Sequence, residues 1–423
     1  MARYCYTAIY YLALPFILLR LLYRGLKAPR YWQRIGERFG FVPSPGRTPC
    51  LWVHAVSVGE TIAAIPVIRY LLEYYSQYQI VVTTMTPTGS EQVKTVFGDD
   101  VYHVYAPYDE PTSIRRFLKK IQPKLLVIME TELWPNLIHY SHKKGVPVIL
   151  ANARLSARSA KGYERVGGLA RPMLKQLAKV AAQHQADADR FQSLGMSSNR
   201  LQVTGSIKLD ITIDKQIVTD AKLLKSEYSQ NGQRFVWIAA STHEGEDEKL
   251  LAAHQQLRSQ HADALLILVP RHPERFNRVA QQSSVLFNTV RRSQHVAVDL
   301  TTEVVVGDTM GELLLLYGCA DVAFVGGSLV AHGGHNMLEP AAWGLPIVTG
   351  KHNFNFEKIA EALTDVGGLQ TVADTNELTK ELVALASQPA QRKAMGQAAS
   401  SYIDANRGAL NQLLNVIDGL IQQ

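Results

Sequence analysis

Short apolar runs and longer amphipathic segments alternate along the first half of the chain. The runs are rich in β-branched residues, whereas the segments between them, such as 61–75 and 113–121, repeat apolar residues at helical spacing. This alternation predicts an α/β fold with a parallel sheet covered by helices on both faces. The predicted strands are 51–55, 80–85, 101–105, 125–129, 148–151, 180–183 and 201–204.

A second series of the same kind follows a polar stretch at 205–233, and the tail at 389–423 is predicted to be helical. We place a domain boundary in the polar stretch, which predicts one α/β domain at 25–207 and a second at 208–423. Two open sheets of this type imply a cleft between them, with ligands at the carboxyl ends of the strands. The predicted strands of the second series are 235–240, 264–269, 295–298, 304–306, 322–325 and 346–349.

The N-terminus opens with 16 uncharged residues, Tyr4–Leu19, which include Pro15. As a helix they cover about 24 Å, short of the ~30 Å hydrocarbon core of a bilayer, and extension to Tyr23 reaches a marginal spanning length. A cleaved signal peptide is disfavoured because no small-residue cleavage site follows. A buried or interfacial helix and a single-pass or deeply inserted anchor at 1–24 remain open.

Charge is concentrated behind this apolar run. The chain of 423 residues has 44 Lys and Arg against 37 Asp and Glu, and the first 50 residues alone hold eight basic residues and one acid, Glu37. Because the remainder is neutral, the basic pI does not indicate nucleic-acid binding. The local basic block favours contact with anionic membrane lipids, with the main body on the cytoplasmic side. Three cysteines cannot form a disulfide framework.

Two carboxylates follow predicted strands of the first domain. Glu60 comes at the turn after strand 51–55, and Glu130 follows strand 125–129 directly. Carboxylates at strand ends suit general acid–base work. The alternative for Glu60 is an acid that favours the helix N-terminus, and Glu132 is expected to cap the next helix. The turn lacks the G-x-G-x-x-G pattern of dinucleotide-binding sheets, so a dehydrogenase is disfavoured.

The second domain places anion-binding residue types at its strand ends. Arg271 and His272 follow strand 264–269 and are able to grip a phosphate, although a surface turn is an equal alternative. The segment 307–312 brings small residues to a helix start, where backbone amides bind anions. A capping box of Thr309 with Glu312 explains the same segment equally well.

Glycines 326, 327, 333 and 334 surround the next strand-to-helix junction, which suits close approach of backbone to a ligand. His332 and His335, with His352, are compatible with a metal, but the flexible glycines favour phosphate. Asp187 and Asp189 are similar to the metal-holding acids of other glycosyltransferases, yet they open a helix and are expected to cap it. We therefore predict no metal and no cofactor.

Four segments together resemble the 3-deoxy-D-manno-octulosonate (Kdo) transferases of lipopolysaccharide synthesis. The resemblance extends over nearly the whole chain and rests on 57–60 (SVGE), 129–136 (METELWPN), 241–246 (STHEGE) and 335–340 (HNMLEP). It implies a GT-B fold of two Rossmann-like domains, with the acceptor in the N-terminal half and the nucleotide sugar in the C-terminal half. It also implies transfer of Kdo from CMP-Kdo to the tetraacyldisaccharide lipid A precursor, with inversion and without a metal.

Matched position by position, the resemblance assigns Glu60 as the general base and Glu130 and Lys208 as residues that stabilise the transition state. The implied contacts to CMP are Arg271, His272, Met310, Gly311, Glu312, Asn336, Met337, Leu338 and Glu339. Two other functions are weighed against it. One is a non-catalytic sugar-nucleotide sensor, which needs neither Glu60 nor Glu130, and the other is a GT-B enzyme that uses a UDP-sugar, as a glycosyltransferase or a 2-epimerase.

Overall fold

A computed structural model describes residues 1–46 and 48–422. It consists of two compact units, each with its own parallel sheet. The first unit contains Met1–Asp210 together with the described part of Arg407–Gln423, and the second contains Ile211–Asn406.

The first unit is built on a seven-stranded parallel sheet with strand order β3-β2-β1-β4-β5-β6-β7. The order reverses between β1 and β4, which pair in register from Leu51 opposite Leu125. Such a reversal opens a crevice outside the carboxyl ends of the two strands. The strands are β1 Cys50–His54, β2 Gln79–Thr84, β3 Tyr102–Tyr105, β4 Pro123–Met129, β5 Val148–Ala153, β6 Lys179–Ala182 and β7 Leu201–Val203.

Helices cover both faces of this sheet, as the continuous apolar strands require. On one face, Trp52 packs on Phe117, and on the other, Leu51 and Val53 belong to a second apolar cluster. The helices are α1 Ala2–Lys27, α2 Val58–Tyr74, α3 Pro87–Phe97, α4 Pro111–Ile121, α5 Pro135–Lys143, α6 Ala157–Arg165, α7 Gly167–Leu174 and α8 Gln185–Ser193.

The second unit repeats the plan with strand order β10-β11-β9-β8-β12-β13-β14 and a reversal between β8 and β12. Its strands are β8 Val236–Thr242, β9 Leu265–Pro270, β10 Thr289–Arg291, β11 Val304–Val306, β12 Val322–Val325, β13 Ile347–Gly350 and β14 Leu369–Val372. Its helices are α9 Lys215–Tyr228, α10 Asp247–Arg258, α11 Phe276–Leu286, α12 Leu313–Tyr317, α13 Leu338–Ala342, α14 Glu357–Asp365, α15 Thr375–Ser387 and α16 Pro389–Ala405.

Three details of this sheet differ from the sequence prediction. The predicted strand at 295–298 is not a strand, because His295 takes a left-handed backbone conformation (φ 52°) that breaks an extended run. The edge strands β10 and β14 were not predicted. β10 has only three residues, and β14 exposes Gln370 and Thr371, so neither shows a clear apolar pattern.

The last helix, α17 Ala409–Ile421, packs on the first unit, whereas the predicted boundaries placed it in the second domain. Its apolar face, including Leu413 and Ile417, is buried in the core of the first unit. Two hydroxyls fasten the helix there, because Tyr70 and Tyr75 donate to the carboxylate of Asp418 at 2.6 and 2.8 Å. The chain therefore returns to its first unit after completing the second.

The N-terminal apolar run forms the larger part of α1, a helix of 26 residues. By length and composition the segment Ala2–Leu26 is able to cross a membrane, although a signal sequence or a core helix passes the same test. Large apolar side chains along it, such as Leu12, Phe16 and Leu19, are exposed. The helix thus presents an uncovered apolar surface.

Candidate functional site

Glu60 lies in the first turn of α2, at the carboxyl end of β1. The hydroxyl of Ser57 caps the helix by accepting from the Glu60 amide at 3.3 Å, and it donates to the Glu60 carboxylate at 2.7 Å. The other carboxylate oxygen accepts from the amide of Val56 at 2.8 Å. The arrangement resembles a capping box, except that the carboxylate accepts from the amide of Val56 instead of that of the N-cap residue Ser57. The local sequence S-V-G-E thus fixes the carboxylate at the crevice between β1 and β4.

The protonation of Glu60 is unusual for a carboxylic acid. Burial raises its pKa to about 7, although the bonds from Ser57 and Val56 act in the opposite direction, and the nearby charges of Glu132 and Glu130 raise it further. The side chain is 8% exposed. A carboxylate with this pKa accepts a proton readily at neutral pH, which is the property a general base needs.

Glu130 and Lys208, to which the resemblance assigns one role, form an ion pair of 2.8 Å in the structure. Glu130 follows β4 in a left-handed conformation (φ 55°), and Lys208 lies on the short helical turn Ile207–Leu209. Both side chains are partly exposed. The ion pair therefore lies, partly exposed, at the same edge of the sheet as Glu60.

Asn152 holds the turn that carries Lys208, and it was not among the predicted site residues. Its buried side-chain oxygen accepts from the amide of Ile207 at 3.2 Å, and its carbonyl accepts from Gln183 at 2.9 Å. Its backbone is left-handed (φ 53°). A polar residue inside the apolar run of β5 is the signal that marks it in the sequence.

The expectation that Glu132 caps the next helix was wrong. Trp134 occupies the N-cap position of α5, and no side chain caps it. The Glu132 carboxylate instead accepts from the indole N–H of Trp134 at 2.8 Å. Pro135 at the first helical position has no N–H, which reduces the need for a cap.

In the second unit, the predicted CMP contacts lie in three loops at the carboxyl ends of β9, β11 and β12. Arg271 and His272 directly follow β9 and are exposed, and the Arg271 amide donates to the carbonyl of Thr242 at 3.0 Å. Met310 is also exposed, beside Gly311, whose φ of 84° suits glycine. Parallel strands deliver these loops to one edge of the sheet.

Glu312 is already engaged within the unit. Arg292 contacts its two carboxylate oxygens at 3.0 and 3.2 Å, and the hydroxyl of Thr309 donates to it as well. Burial opposes ionisation of Glu312, but these bonds outweigh it and leave the pKa below its usual range. Glu312 itself is the N-cap of α12, so the alternative in which Thr309 caps the helix was wrong.

Asn336 and Glu339 are the two members of the 336–339 segment whose side chains are partly accessible. The Asn336 amide donates to Glu339 at 3.0 Å, while its oxygen accepts from the amide of Leu338 at 3.1 Å. Burial raises the pKa of Glu339, and Asn336 and the positive charge of Arg271 lower it. Met337 and Leu338 are buried, so these two residues offer backbone groups rather than side chains.

Among the described residues, no group of three or more His, Cys, Asp and Glu side chains is arranged to hold a metal ion. The expectation that Asp187 caps helix α8 was wrong, because His184 is the N-cap residue of that helix. The carboxylate of Asp187 instead accepts from the amide of Leu155 at 2.9 Å and pairs with Arg190 at 3.4 Å. Asp187 therefore fastens a loop.

Comparison with known proteins agrees with the two-sheet architecture. The structure is similar to a glycosyltransferase from Rickettsia africae, with a TM-score of 0.55 and 14% identity over 89% of this chain and 100% of that one. At this identity the likeness shows the fold alone. Two parallel seven-stranded sheets with such a neighbour are a GT-B fold.

The sequence matches identify the family. The family model of 3-deoxy-D-manno-octulosonic-acid transferase (kdotransferase) matches residues 33–211. The chain is 44% identical to the 3-deoxy-D-manno-octulosonic acid transferase of Haemophilus influenzae over 427 residues, covering 100% of each. It is 34% identical to that of Bordetella pertussis, covering 99% of each. The chain belongs to the 3-deoxy-D-manno-octulosonic acid transferase family.

Proposed function

We propose that this Kdo transferase moves a Kdo residue from CMP-Kdo to the tetraacyldisaccharide lipid A precursor, with inversion at the anomeric carbon. The observation that carries the reaction type is the carboxylate of Glu60, fixed at the β1–β4 crevice with a pKa raised to about 7. Glu60 takes the proton of the acceptor hydroxyl as its oxygen attacks the anomeric carbon. The bond to CMP breaks in the same step, and its electrons leave with the phosphate.

The ion pair of Glu130 with Lys208 supports a role in the transition state. Charge develops on the sugar and on the leaving phosphate, and preorganised charged groups stabilise such states without reorganising. Lys208 pairs with Glu130 at 2.8 Å, so the two charges already lie side by side in the protein without substrate. We assign Glu130 and Lys208 to this role.

The donor nucleotide is proposed to bind the second unit. Arg271 offers two parallel N–H groups to the phosphate, His272 lies beside it, and Gly311 leaves space for close approach of backbone. Asn336 and Glu339 suit the ribose hydroxyls. The other residues that we propose to contact CMP are Met310, Glu312, Met337 and Leu338. Because Arg271 and backbone amides are able to stabilise the leaving phosphate, we propose that transfer needs no metal ion and no cofactor.

The acceptor has acyl chains, so we propose that the first unit works at the inner membrane with its catalytic face on the cytoplasmic side. The first turns of α1 are fastened to the body of this unit: Arg3 donates to Asn136 at 2.9 Å, and Tyr6 and Tyr11 donate to Asp109 and Glu110 at 2.9 Å each. If α1 spanned the bilayer, its N-terminus would have to cross a ~30 Å hydrocarbon core, and these hydrogen bonds would break. If α1 is instead inserted deeply but lies along the membrane interface, the hydrogen bonds are kept.

The donor and acceptor are tested by mass spectrometry of the product formed from purified enzyme, the lipid A precursor and CMP-Kdo generated in situ. A product heavier by Kdo is expected, NMR of the new linkage should show the inverted anomer, and EDTA should not change turnover. UDP-sugars should give no product and no 2-epimer. Turnover with a UDP-sugar and none with CMP-Kdo would sink the assignment.

Membrane attachment is tested by liposome co-sedimentation across a salt series, with anionic and neutral vesicles compared. Removal of residues 1–24 should reduce binding to both. Neutralising four basic residues together should weaken binding to anionic vesicles and make the remainder less salt-sensitive. Each charge contributes ~1 kcal/mol near the surface. Equal pelleting of all forms at every salt concentration contradicts the attachment. The four residues are Arg24, Lys27, Arg30 and Arg34.

A further inference from the structure

Four imidazoles gather at the reversal point of the second sheet, where β8 and β12 lie side by side. His243 follows β8, and His335 lies in the loop after β12, with their Nε2 atoms 2.8 Å apart. Their ring planes differ by 3° and their centroids lie 5.0 Å apart, so the rings meet edge to edge. His332 stacks on His243 at 4.1 Å, and His272 stands perpendicular to it at 5.3 Å.

Glu246 clamps the two loops that carry this pair. Its carboxylate accepts from the amide of His243 at 2.9 Å and from three consecutive amides of Gly327–Leu329 at 2.7, 3.0 and 2.9 Å. A Cβ at Gly327 would lie 3.0 Å from the His335 ring, and the φ of 71° there also favours glycine. The final glutamate of the STHEGE motif thus positions the histidines rather than facing a ligand.

The surroundings of the pair are positively charged. Each nearby acid has another partner: Glu246 binds amides, Asp247 pairs with Arg275, and Glu244 pairs with Arg278 at 2.7 Å. Glu339 is bound by Asn336 at 3.0 Å. The groups that act electrostatically on His243 or His335 are His272, His332, Arg271 and Arg275.

A pair of imidazoles joined through Nε2 has a defined proton capacity. One Nε2 carries a proton and donates to the other, which accepts. One additional proton is able to bind the Nδ1 atom of the donating ring. A second additional proton would have to bind the accepting Nε2, and two N–H groups would then face each other. Burial, followed by the neighbouring positive groups, lowers the pKa of each ring to about 4. Near neutral pH the pair is therefore uncharged. A bound anion would stabilise the protonated pair, because no acid among the described residues does so.

We propose that His243 and His335 form the subsite for an anionic group of the donor, phosphate or carboxylate, and that the pair takes up one proton from solvent when this group binds. The subsite rests on the donor proposed above. Crevices at the reversal point of an open α/β sheet are where such folds bind ligands. The bound anion cancels the cationic surroundings and raises the affinity of the pair for a proton. Donor affinity should therefore fall with rising pH, by at most ~10-fold per pH unit.

The test is isothermal titration calorimetry of the full chain in buffers of different ionisation enthalpy, somewhat above neutral pH. CMP supplies a phosphate, and CMP with free Kdo adds a carboxylate. Uptake of a proton with CMP alone identifies the phosphate as the anion, and uptake only after Kdo is added identifies the carboxylate. A binding enthalpy that does not depend on the buffer in either case overturns the subsite.

Variants separate proton uptake by the imidazole pair from any change in the ionisation of the bound phosphate, because each variant removes one imidazole and keeps the other groups of the site. His243→Gln and His335→Gln should each bind CMP but lose the extra proton uptake, while His261→Gln, a surface histidine of the same unit, should keep it. Thermal melting confirms that each variant is folded. Undiminished uptake in both variants overturns the proposal. If the parent does not bind CMP at all, the donor assignment fails and the subsite fails with it.

Discussion

Replacement of Glu60 by glutamine should make the protein more stable and nearly inactive at the same time. The side chain is 8% exposed, and burial raises its pKa from 4.5 to about 7. Between these two pH values, Glu60 keeps its proton in the folded protein but has lost it in the unfolded chain. The free energy of unfolding therefore decreases as the pH rises from 4.5, and the full decrease is reached above pH 7. The difference between the two pKa values corresponds to a penalty of roughly 3 kcal/mol. Glutamine removes the charge and keeps acceptors and donors for Val56 and Ser57.

The assay is the melting temperature of parent and variant across a pH series, paired with turnover. The Glu60→Gln variant should melt with the parent near pH 4.5 and above it beyond pH 7, while turnover falls by ~10²–10⁴-fold. The parent's kcat/KM should rise with pH through an apparent pKa near 7. Glu73→Gln, an exposed position on the same helix, is the matched control and should change neither property. A variant that melts below the parent at high pH, or that turns over normally, refutes the reasoning.

Three further outcomes are expected. Lys208→Ala removes the partner of Glu130 and should lower kcat by ~10²–10³-fold, with CMP affinity unchanged in calorimetry; a normal kcat contradicts the assigned role. Glu339→Ala should weaken CMP binding by roughly 1.5–3 kcal/mol if its carboxylate binds the ribose, and unchanged affinity refutes that contact. Asp109→Ala removes the acceptor of Tyr6 and should make α1 more susceptible to limited proteolysis, whereas equal cleavage rates in variant and parent contradict the docking described above.

The elements of both sheets could be predicted where strands are buried on both faces, because continuous apolar runs then mark them. Both edge strands of the second sheet escaped prediction: β10 has only three residues, and β14 has four, L-Q-T-V, of which the central two are exposed. The packing of α17 could not be predicted either. Its apolar stripe shows that one face is buried, but nothing in the stripe says which of two sheets it covers.

The site residues were predicted one at a time, and their partners were not. Glu60 and Glu130 were found because each follows an apolar strand. The contact of Glu130 with Lys208 depends on the turn at 207–209, which Asn152 holds from a neighbouring strand. Such pairing is set by tertiary structure rather than by local spacing. In the second unit, His243 and His335 stood in two separate motifs, and only the adjacency of β8 and β12 brings them together.

Three strand-end residues share a conformation that explains why these loops carry the chemistry. Glu130, Asn152 and Ser241 all have positive φ, at 55°, 53° and 57°. In non-glycine residues this conformation persists only where surrounding contacts hold it. Glu130 directly follows β4, whereas Asn152 and Ser241 are the next-to-last residues of β5 and β8, where the pairing with a neighbouring strand shifts register. These three positions lie at the carboxyl ends of β4, β5 and β8, and the strand order reverses at β4 and at β8. The contacts that hold the three conformations therefore also help to place the ion pair of Glu130 with Lys208 and the imidazole of His243, two residues after Ser241.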